Sequence, residues 1–152
     1  MKGIDEKNLE SLVRKALADI LAENGGALAG PKHVDKSGIM SVHLPAIRPE
    51  LFDTGKPGAG VLVKDIPTLE ESPRLGFGVM EMDHTAFEWT LNYDEVDYVI
   101  NGTLEILIDG RKVCGQAGDL IFIPAGSAIQ FSAPGKVRFL YVVYPANWSE
   151  QN

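Results

Sequence analysis

Cysteine and histidine are scarce in this chain. It contains one cysteine, Cys114, and three histidines among its 152 residues. A lone thiol gives no internal disulfide framework, and such frameworks belong to oxidising compartments. We therefore expect a cytoplasmic protein whose core forms without disulfide support.

The sequence also lacks long apolar runs and an excess of positive charge. No stretch approaches the roughly 18 apolar residues of a membrane-spanning helix, and the acidic start lacks the basic region of a secretory signal. The 14 Lys and Arg residues against 21 Asp and Glu residues give a net charge of −7. Because this charge repels a phosphate backbone, we do not expect the protein to bind nucleic acids. Since it has no membrane-spanning run and no secretory signal, we expect a soluble protein that does not bind membranes.

Proline and glycine are nearly absent from the start of the chain. No proline precedes Pro31, and only Gly3 precedes Gly25 among the glycines. Apolar residues recur here at steps of three and four: Ile4, Leu9, Leu12, Val13, Ala16, Leu17, Ile20 and Leu21. This spacing predicts an amphipathic helix over residues 4–22, and the glycines that follow predict a flexible linker. We therefore divide the chain into a helix and linker, residues 1–31, and a second domain, residues 32–152.

The apolar stripe of this helix needs a partner surface, because a short helix is rarely stable alone in water. One interpretation is that it packs on its own domain or on a second subunit. The other is that it is an addressing helix that docks into another protein, as amphipathic helices do in apolar grooves.

Short strand patterns separated by turn residues fill the rest of the chain. The predicted strands are Ile39 to Leu44, Gly60 to Ile66, Leu75 to Met82, Phe87 to Leu91, Val96 to Ile100, Leu104 to Asp109, Arg111 to Cys114, Leu120 to Ile123, Ala128 to Ser132 and Val137 to Tyr144. Prolines, including Pro134, fall at the predicted strand ends, where a missing N–H does little harm. This density of strands predicts an all-β fold, either an antiparallel barrel or a two-sheet roll.

Two glycine-anchored motifs carry a resemblance to a known superfamily. The first reads Trp89-x-Leu91-x3-Glu95-x6-Gly102, with Asn101-Gly102 as a tight-turn dipeptide, and the second reads Gly118-x5-Pro124-x-Gly126-x2-Ile129. Together they resemble the two signature motifs of the cupins. The resemblance implies a cupin-type antiparallel β-barrel, jelly-roll-like and also described as a double-stranded β-helix.

The cupin resemblance also identifies the positions at which a metal would be held. Cupins bind one metal through two His and a Glu of the first motif and a His of the second. Here the His positions are occupied by Trp89, Leu91 and Ile129, so Glu95 alone remains. A register with one more residue before Glu95 would place Glu88 and Thr90 at the paired His positions. Without imidazole or thiolate ligands we expect no tightly bound metal, and Glu95 is at most a ligand of Mg²⁺.

Glu95 and Asp97 are the candidate catalytic residues. Residues two apart on a strand share a face, so Asp97 should follow Glu95 into the interior. Two neighbouring acids in apolar surroundings do not both ionise easily, which would leave one as a general acid or base near neutral pH. The alternative is a structural role in which Glu95 is hydrogen-bonded to Tyr93 or Tyr98.

Trp89, Tyr93 and Tyr98 are the candidate cofactor-binding residues. The rings of Trp89 and Tyr98 offer flat faces suited to an adenine, a sugar or an aromatic ligand. The alternative is that these aromatic residues are simply part of the core.

A more specific resemblance covers roughly residues 40–145. The segments 87–102 and 118–127 are similar to those of the EutQ family of ethanolamine utilisation proteins. This resemblance implies a cupin-like, typically dimeric protein without the His ligands, linked to the bacterial microcompartments that break down ethanolamine. Acetate kinase activity has been attributed to the family, which implies Mg²⁺ and ATP as cofactors if this chain is a kinase.

The same resemblance sharpens the interpretation of the predicted helix. Microcompartment enzymes often carry an amphipathic helix and a flexible linker that direct encapsulation, which implies shell or cargo proteins as partners. Two main hypotheses remain open, and a third, metal-dependent oxygenase or isomerase chemistry, is disfavoured by the missing histidines. The first is an acetate kinase in which Glu95 and Asp97 handle an ion or a proton. The second is a non-catalytic, metal-free cupin that acts as a ligand-binding or assembly module.

Overall fold

The computed structural model describes residues 12–16 and 30–151, and the chain divides into two units, Met1–His43 and Leu44–Asn152. In the first unit, residues 12–16 are helical and exposed. The rest of the helix predicted over residues 4–22, and most of the linker, lie outside the described residues. Strands β1 (Lys32–Val34) and β2 (Met40–Val42) form an antiparallel hairpin. No helix in these described ranges is long and apolar enough to cross a membrane.

The second unit is one antiparallel sheet of eight strands with two 3₁₀ helices, Leu44–Ala46 and Trp148–Glu150. The strands are β3 (Glu50–Leu51), β4 (Leu62–Asp65), β5 (Gly76–Leu91), β6 (Asp94–Asn101), β7 (Thr103–Ile108), β8 (Arg111–Gln116), β9 (Leu120–Ile123) and β10 (Ser127–Tyr144). The prediction of an all-β fold is confirmed.

Strand β10 organises this sheet. It pairs with β5 along nearly its whole length, with β7 through its first part and with β6 through its second part. The main path is β3-β4-β5-β10-β6-β9, and β7 and β8 branch from β10. Both branches contribute side chains to a single buried cluster.

The predicted closed barrel is not present among the described strands. Strands β3 and β9 stand at the two ends of the main path and are not paired with each other. They are two and four residues long, too short to form an extended closing seam. The sheet is therefore an open roll around its core.

Two predicted strand breaks are also wrong. The pairs of strands predicted on either side of residues 83–86 and 133–136 are single long strands, β5 and β10. Pro134 lies inside β10, where the register shifts between Ala133 and Lys136. A bulge leaves a residue unpaired, so the missing N–H of Pro134 interrupts no ladder bond. On β5, opposite this bulge, His84 has a positive φ of 46°.

The dipeptide Asn101-Gly102 does not form the hairpin turn that the sequence suggested. Strands β6 and β7 do not pair with each other, so Gly102 passes the chain from one branch of the sheet to the other. Gly102 has a φ of 84°, and a Cβ there would overlap the carbonyl oxygen of Lys136. Glycine is required at this crossing for both its conformation and its small size.

We expect Gly102→Ala to destabilise the protein more than Gly110→Ala does. Gly110 also has a positive φ, of 72°, but a Cβ there would meet nothing within 4 Å. Gly110→Ala should therefore cost only the left-handed penalty of about 1–2 kcal/mol. Gly102→Ala should lose about 1–3 kcal/mol more through the overlap with Lys136. Urea unfolding of both variants measures the difference, and equal losses would contradict the crossing described here.

Candidate functional site

Strand β6 alternates between the core and the outer face. Glu95 is 4% exposed and Asp97 and Val99 are 0% exposed, whereas Tyr98 is 43% exposed. This alternation follows from the two-residue period of a strand. The predicted inward orientation of Glu95 and Asp97 is confirmed, and their catalytic role stays a prediction.

The two acids lie in apolar surroundings. Glu95 is paired with Ile123 of β9 on one side and with Val143 of β10 on the other. Asp97 follows two residues further along, paired with Ile121 of β9 and Tyr141 of β10. Both of its carboxylate oxygens are buried and have no hydrogen-bond partner within the described part of the chain. Since buried polar atoms are nearly always bonded, these oxygens need a proton or a ligand to be satisfied.

Burial changes the protonation of both acids. Loss of solvent raises the pKa of Glu95 to about 7. It also raises the pKa of Asp97 well above its usual range, and the neighbouring charge of Glu95 raises it further. Interacting acids of this kind titrate as a pair. At neutral pH the pair therefore holds at least one proton, and Glu95 changes its charge near pH 7.

Glu95 faces a pocket with mostly aromatic walls. The space at its centre is about 20 Å³, which is close to the room that one water molecule needs. Within the described part of the chain, no Lys, Arg or His side chain lines this pocket. The lining residues are Phe52, Val63, Met80, Phe87, Trp89, Tyr93, Glu95, Phe131, Tyr141, Val143 and Trp148.

The 3₁₀ helix at Trp148–Glu150 contributes a further aromatic wall to this pocket. The ring of Trp148 lies 5.9 Å from that of Tyr93, 6.1 Å from that of Phe52 and 6.3 Å from that of Trp89. The indole Nε1 donates to Asp65 Oδ1 at 3.3 Å. On the other side of the helix, Asn92 Nδ2 donates to the carbonyl oxygen of Gln151 at 2.7 Å. The 3₁₀ helix is therefore attached to the sheet at both ends.

The structure brings together two of the three predicted binding residues. Trp89 Nε1 donates a hydrogen bond to the hydroxyl of Tyr93 at 2.9 Å, and both rings line the pocket of Glu95. Burial raises the pKa of Tyr93 above its usual value. Tyr98 lies on the opposite face of β6. It can therefore neither share a ligand with Trp89 and Tyr93 nor bond to Glu95. The hydroxyl of Tyr93 accepts from Trp89 and keeps its own proton to donate, so a structural role of Glu95 beside Tyr93 stays an open alternative.

The positions of the lost metal ligands are occupied by core side chains. Leu91 is 0% and Ile129 is 6% exposed, and Ile129 lies directly opposite Trp89 in the sheet. The alternative register that would supply Glu88 is wrong, because Glu88 and Thr90 point to the exposed face of β5. Glu88 therefore lies on the other side of the sheet from Glu95.

These donors do not fit a bound metal. No group of three or more His, Cys, Asp or Glu side chains able to hold an ion occurs in the described ranges. His84 is exposed and bonded to Asp83, and His33 and His43 belong to the first unit. Carboxylate oxygens suit Mg²⁺ chemically, but Mg²⁺ usually keeps several waters, and the pocket has room for about one. We assign no chemical step to a metal held inside it.

Three residues of the site were missed at the level of sequence. Tyr141 is buried opposite Asp97 on β10, and its hydroxyl donates to Asp65 Oδ1 at 2.7 Å. Its signal was the alternation of Val137, Phe139, Tyr141 and Val143 on the inner face of the last strand. Asp65 and Trp148 are 83 residues apart, and no local pattern indicates that they meet.

The fold defines the class of protein. The structure of the Clostridium difficile EutQ protein superposes with a TM-score of 0.77 at 59% identity, over 80% of this chain and 90% of that chain. The Schizosaccharomyces pombe Cnp3 cupin domain superposes with a TM-score of 0.57 over 73% of this chain and 77% of that chain. It is 14% identical, so this second likeness shows the fold alone. The chain therefore has the cupin fold.

The sequence identifies the family within that class. A family profile described as "Ethanolamine utilisation protein EutQ" matches residues 4–150. "Acetate kinase EutQ" of Clostridioides difficile (strain 630) is 51% identical over 155 residues, which cover 100% of this chain and 99% of that protein. The protein of that name from Salmonella typhimurium is 36% identical over 91% of this chain, which spans 63% of that protein's length. The chain therefore belongs to the EutQ family of ethanolamine utilisation proteins.

We expect the stability of the protein to fall as the pH rises from 4.5 to about 7. The folded state raises the pKa of Glu95 from 4.5 to about 7, so in this range it binds more protons than the unfolded state. The shift corresponds to a loss of about 3 kcal/mol in the free energy of unfolding. Glu95→Gln removes this titration, so its stability should change less between these pH values.

Urea unfolding at several pH values from 4.5 to 8 provides the measurement. Glu88→Gln, the same substitution at an exposed carboxylate on the outer face, is the matched control and should follow the parent protein. Parallel curves for Glu95→Gln and the parent protein would show that Glu95 does not titrate as described.

Proposed function

We propose that the chain is an acetate kinase of ethanolamine catabolism, transferring a phosphoryl group between ATP and acetate. The names of the relatives support this activity, since proteins 51% and 36% identical to the chain are called "Acetate kinase EutQ". The observation that carries the proposal is the buried pair of acids, of which Glu95 faces a small pocket and Asp97 has unsatisfied oxygens.

The acid pair acts by holding the acetate carboxylate. Acetate is already an anion at neutral pH, so the reaction needs positioning and charge neutralisation more than a base. A protonated Glu95 donates a hydrogen bond to an acetate oxygen, whereas an ionised Glu95 repels it. Asp97, at the next inward-facing position of β6, helps to keep a proton on the pair. Acetate binding should therefore weaken as Glu95 ionises.

Substrate entry requires the 3₁₀ helix at Trp148–Glu150 to move. The central space of the pocket holds about one water molecule, so room for acetate beside Glu95 is made when the Trp148 ring swings away. The indole hydrogen bond to Asp65 and the bond of Asn92 to Gln151 are what this movement breaks. ATP would stay at the mouth, where the partly buried ring of Trp89 becomes available to its adenine once Trp148 has moved. Since no Lys or Arg among the described residues lines the pocket, Mg²⁺ bound to ATP would supply the charge neutralisation.

A second candidate function is a non-catalytic, metal-free cupin that acts as a ligand-binding or assembly module. The absence of cationic side chains from the pocket lining favours it, because phosphoryl transfer depends on neutralised charge. In this case the acid pair binds a small carboxylate without transferring phosphate to it.

We also propose that the chain forms a homodimer through the outer face of β9, β6 and β10. The side chains on this face are Val96, Tyr98, Leu120, Phe122, Leu140 and Val142. They form one contiguous apolar surface, since Val96 is paired with Phe122 and Val142, and Tyr98 with Leu120 and Leu140. Leu120 and Phe122 are 62% and 58% exposed. These six side chains carry no charge, so a second copy can meet this face although the chain is acidic overall.

We further propose that the protein acts in the cytoplasm, in or at a bacterial microcompartment. The support is the amphipathic spacing of residues 4–22 and the glycine-rich segment after it, which together suit an addressing helix for shell or cargo proteins. Apart from residues 12–16, this helix lies outside the described residues.

In a coupled assay, the purified protein should form acetyl phosphate and ADP from acetate, ATP and Mg²⁺. The KM for acetate should rise about tenfold per pH unit above pH 7, because only the protonated Glu95 binds the anion. Glu95→Gln stays neutral and should lose this pH dependence, whereas Glu88→Gln should keep it. An unchanged pH dependence in Glu95→Gln would remove Glu95 from the acetate site.

A parent protein that forms no acetyl phosphate would contradict the kinase proposal. Calorimetry with acetate then examines the second function. Acetate binding that weakens above pH 7 without phosphoryl transfer would support the binding module, and no binding at all would reject the acetate site.

We expect Phe122→Glu to dissociate the proposed dimer. An unpaired carboxylate at the centre of an apolar interface is costly to bury, while it is well solvated in a monomer. Light scattering coupled to size-exclusion chromatography gives the mass of each variant. Leu51→Glu, at an exposed apolar position on the opposite end strand β3, is the control and should stay dimeric. A parent protein that is monomeric throughout, or a Phe122→Glu variant that remains dimeric, would contradict this interface.

A further inference from the structure

A row of four residues crosses the sheet from the buried acids to its surface. Asp97 of β6 is paired with Tyr141 of β10, Tyr141 with Gly78 of β5, and Gly78 with Asp65 of β4. Three members of this row carry an ionisable side chain, and the fourth has none. Asp97 is 0% exposed, whereas Asp65 is an exposed residue at the end of a short strand. The row therefore connects the interior to solvent.

Gly78 leaves the space that the Tyr141 side chain occupies in this row. A Cβ at this position would overlap the hydroxyl oxygen of Tyr141 and the carbonyl oxygen of Lys64. Its φ does not lie in the left-handed region, so space alone requires a glycine here. Because the position is bare, the Tyr141 side chain spans β5 and its hydroxyl donates to Asp65 Oδ1 at 2.7 Å.

The inner end of the row reaches the pocket. Tyr141 and Glu95 both line it, and its central space of about 20 Å³ accommodates one water molecule. A hydroxyl can accept one proton while it donates another. A water between Glu95 and Tyr141 thus completes a chain from Asp97 and Glu95 to the exposed carboxylate of Asp65.

We propose that Tyr141 and Asp65 form the proton path by which the buried Glu95–Asp97 pair exchanges with solvent. When Glu95 deprotonates, its O–H bond breaks and the pocket water takes the proton while passing one of its own to the Tyr141 oxygen. The phenolic proton of Tyr141 passes at the same time to the carboxylate of Asp65. Glu95 has then lost one proton, Asp65 has gained one, and Asp65 releases it to bulk water. Uptake follows the reverse order.

The surroundings favour this concerted transfer over a stepwise one. Burial, first, and the neighbouring Asp65, second, raise the pKa of Tyr141 above its usual value, so a free tyrosinate does not form. Tyr93 also faces the pocket, but its hydroxyl is bonded to Trp89 inside it. Trp148 donates to Asp65 and has no second labile proton. Among the described residues no Lys, Arg or His lines the pocket, and Tyr141 is the one described side chain of its lining that both donates its proton to an exposed acid and can accept another in its place.

This inference deepens the proposed function, in which Glu95 must gain a proton to bind acetate. Tyr141 and Asp65 are positioning residues for that proton, since neither has to touch acetate. The exchange can be observed without substrates, so it can be examined whether or not the chain proves to be a kinase.

The test is hydrogen–deuterium exchange of the buried carboxylic acid, followed by infrared spectroscopy after rapid mixing into D₂O at pH 6. The C=O band of a protonated carboxyl group shifts when its proton is replaced. Tyr141→Phe and Asp65→Asn should slow this shift by about 100-fold, the lower end of what a positioned proton-transfer group contributes. Tyr93→Phe removes a hydroxyl from the same pocket and should leave the rate unchanged.

Slow exchange in Tyr141→Phe and Asp65→Asn, with fast exchange in Tyr93→Phe, supports the path even if no acetyl phosphate is formed. An unchanged rate in either relay variant overturns it, and so does equal slowing in all three variants, which would indicate exchange through opening of the pocket. A parent protein without a protonated carboxyl band at pH 6 would remove the acid pair itself. Urea unfolding midpoints of all three variants show whether each remains folded under the conditions of mixing.

Discussion

The burial of two carboxyl groups side by side on strand β6 is the constraint on which the functional features of this protein depend. Neither Glu95 nor Asp97 has a cationic partner, so the sheet stabilises their protonated forms instead of their charges. Removing two ionised acids from water would otherwise cost several kcal/mol. The apolar walls from β9 and β10, the aromatic pocket and the tyrosine that spans β5 all act on the protonation of this pair. A metal-binding cupin satisfies its inward Glu with an ion, whereas here burial raises the pKa of Glu95 to about 7 and favours its protonated form.

Local alternation accounts for what the sequence predicted well. The inward positions of Glu95 and Asp97, and of the apolar residues at the former ligand positions, follow from two-residue periodicity and from the spacing of the motifs. The same periodicity puts Tyr98 on the other face. An aromatic ring alone therefore does not indicate a place in the site. The predicted strand breaks in β5 and β10 failed because Pro134 and the residues around His84 can be accommodated by a bulge and a bend. Contacts such as Trp148 to Asp65 depend on the path of the whole chain, which no local pattern contains.

Family membership and chemistry are separate matters in this chain. The EutQ family is established by matches along nearly its whole length, while cupins as a class perform many reactions and some perform none. The pocket contributes an unusual donor set: among the described residues its lining holds one acid, Glu95, and no cation, with Asp97 buried behind it on the same strand and a 3₁₀ helix packed against it. A phosphoryl-transfer enzyme with this pocket must obtain its positive charge from the nucleotide's own counter-ion. A binding module needs no such supply, and this difference is what separates the two candidate functions.

Asp97 and Tyr98 are adjacent in the chain yet belong to opposite sides of β6, one to the acid pair and the other to the apolar outer surface. A slip of β6 by a single residue relative to β9 and β10 would exchange every side chain between these sides. It would expose both acids and turn the Tyr98 phenol into the pocket. Both faces would therefore be lost together. Insertions or deletions within β6 should accordingly be far less tolerated than substitutions.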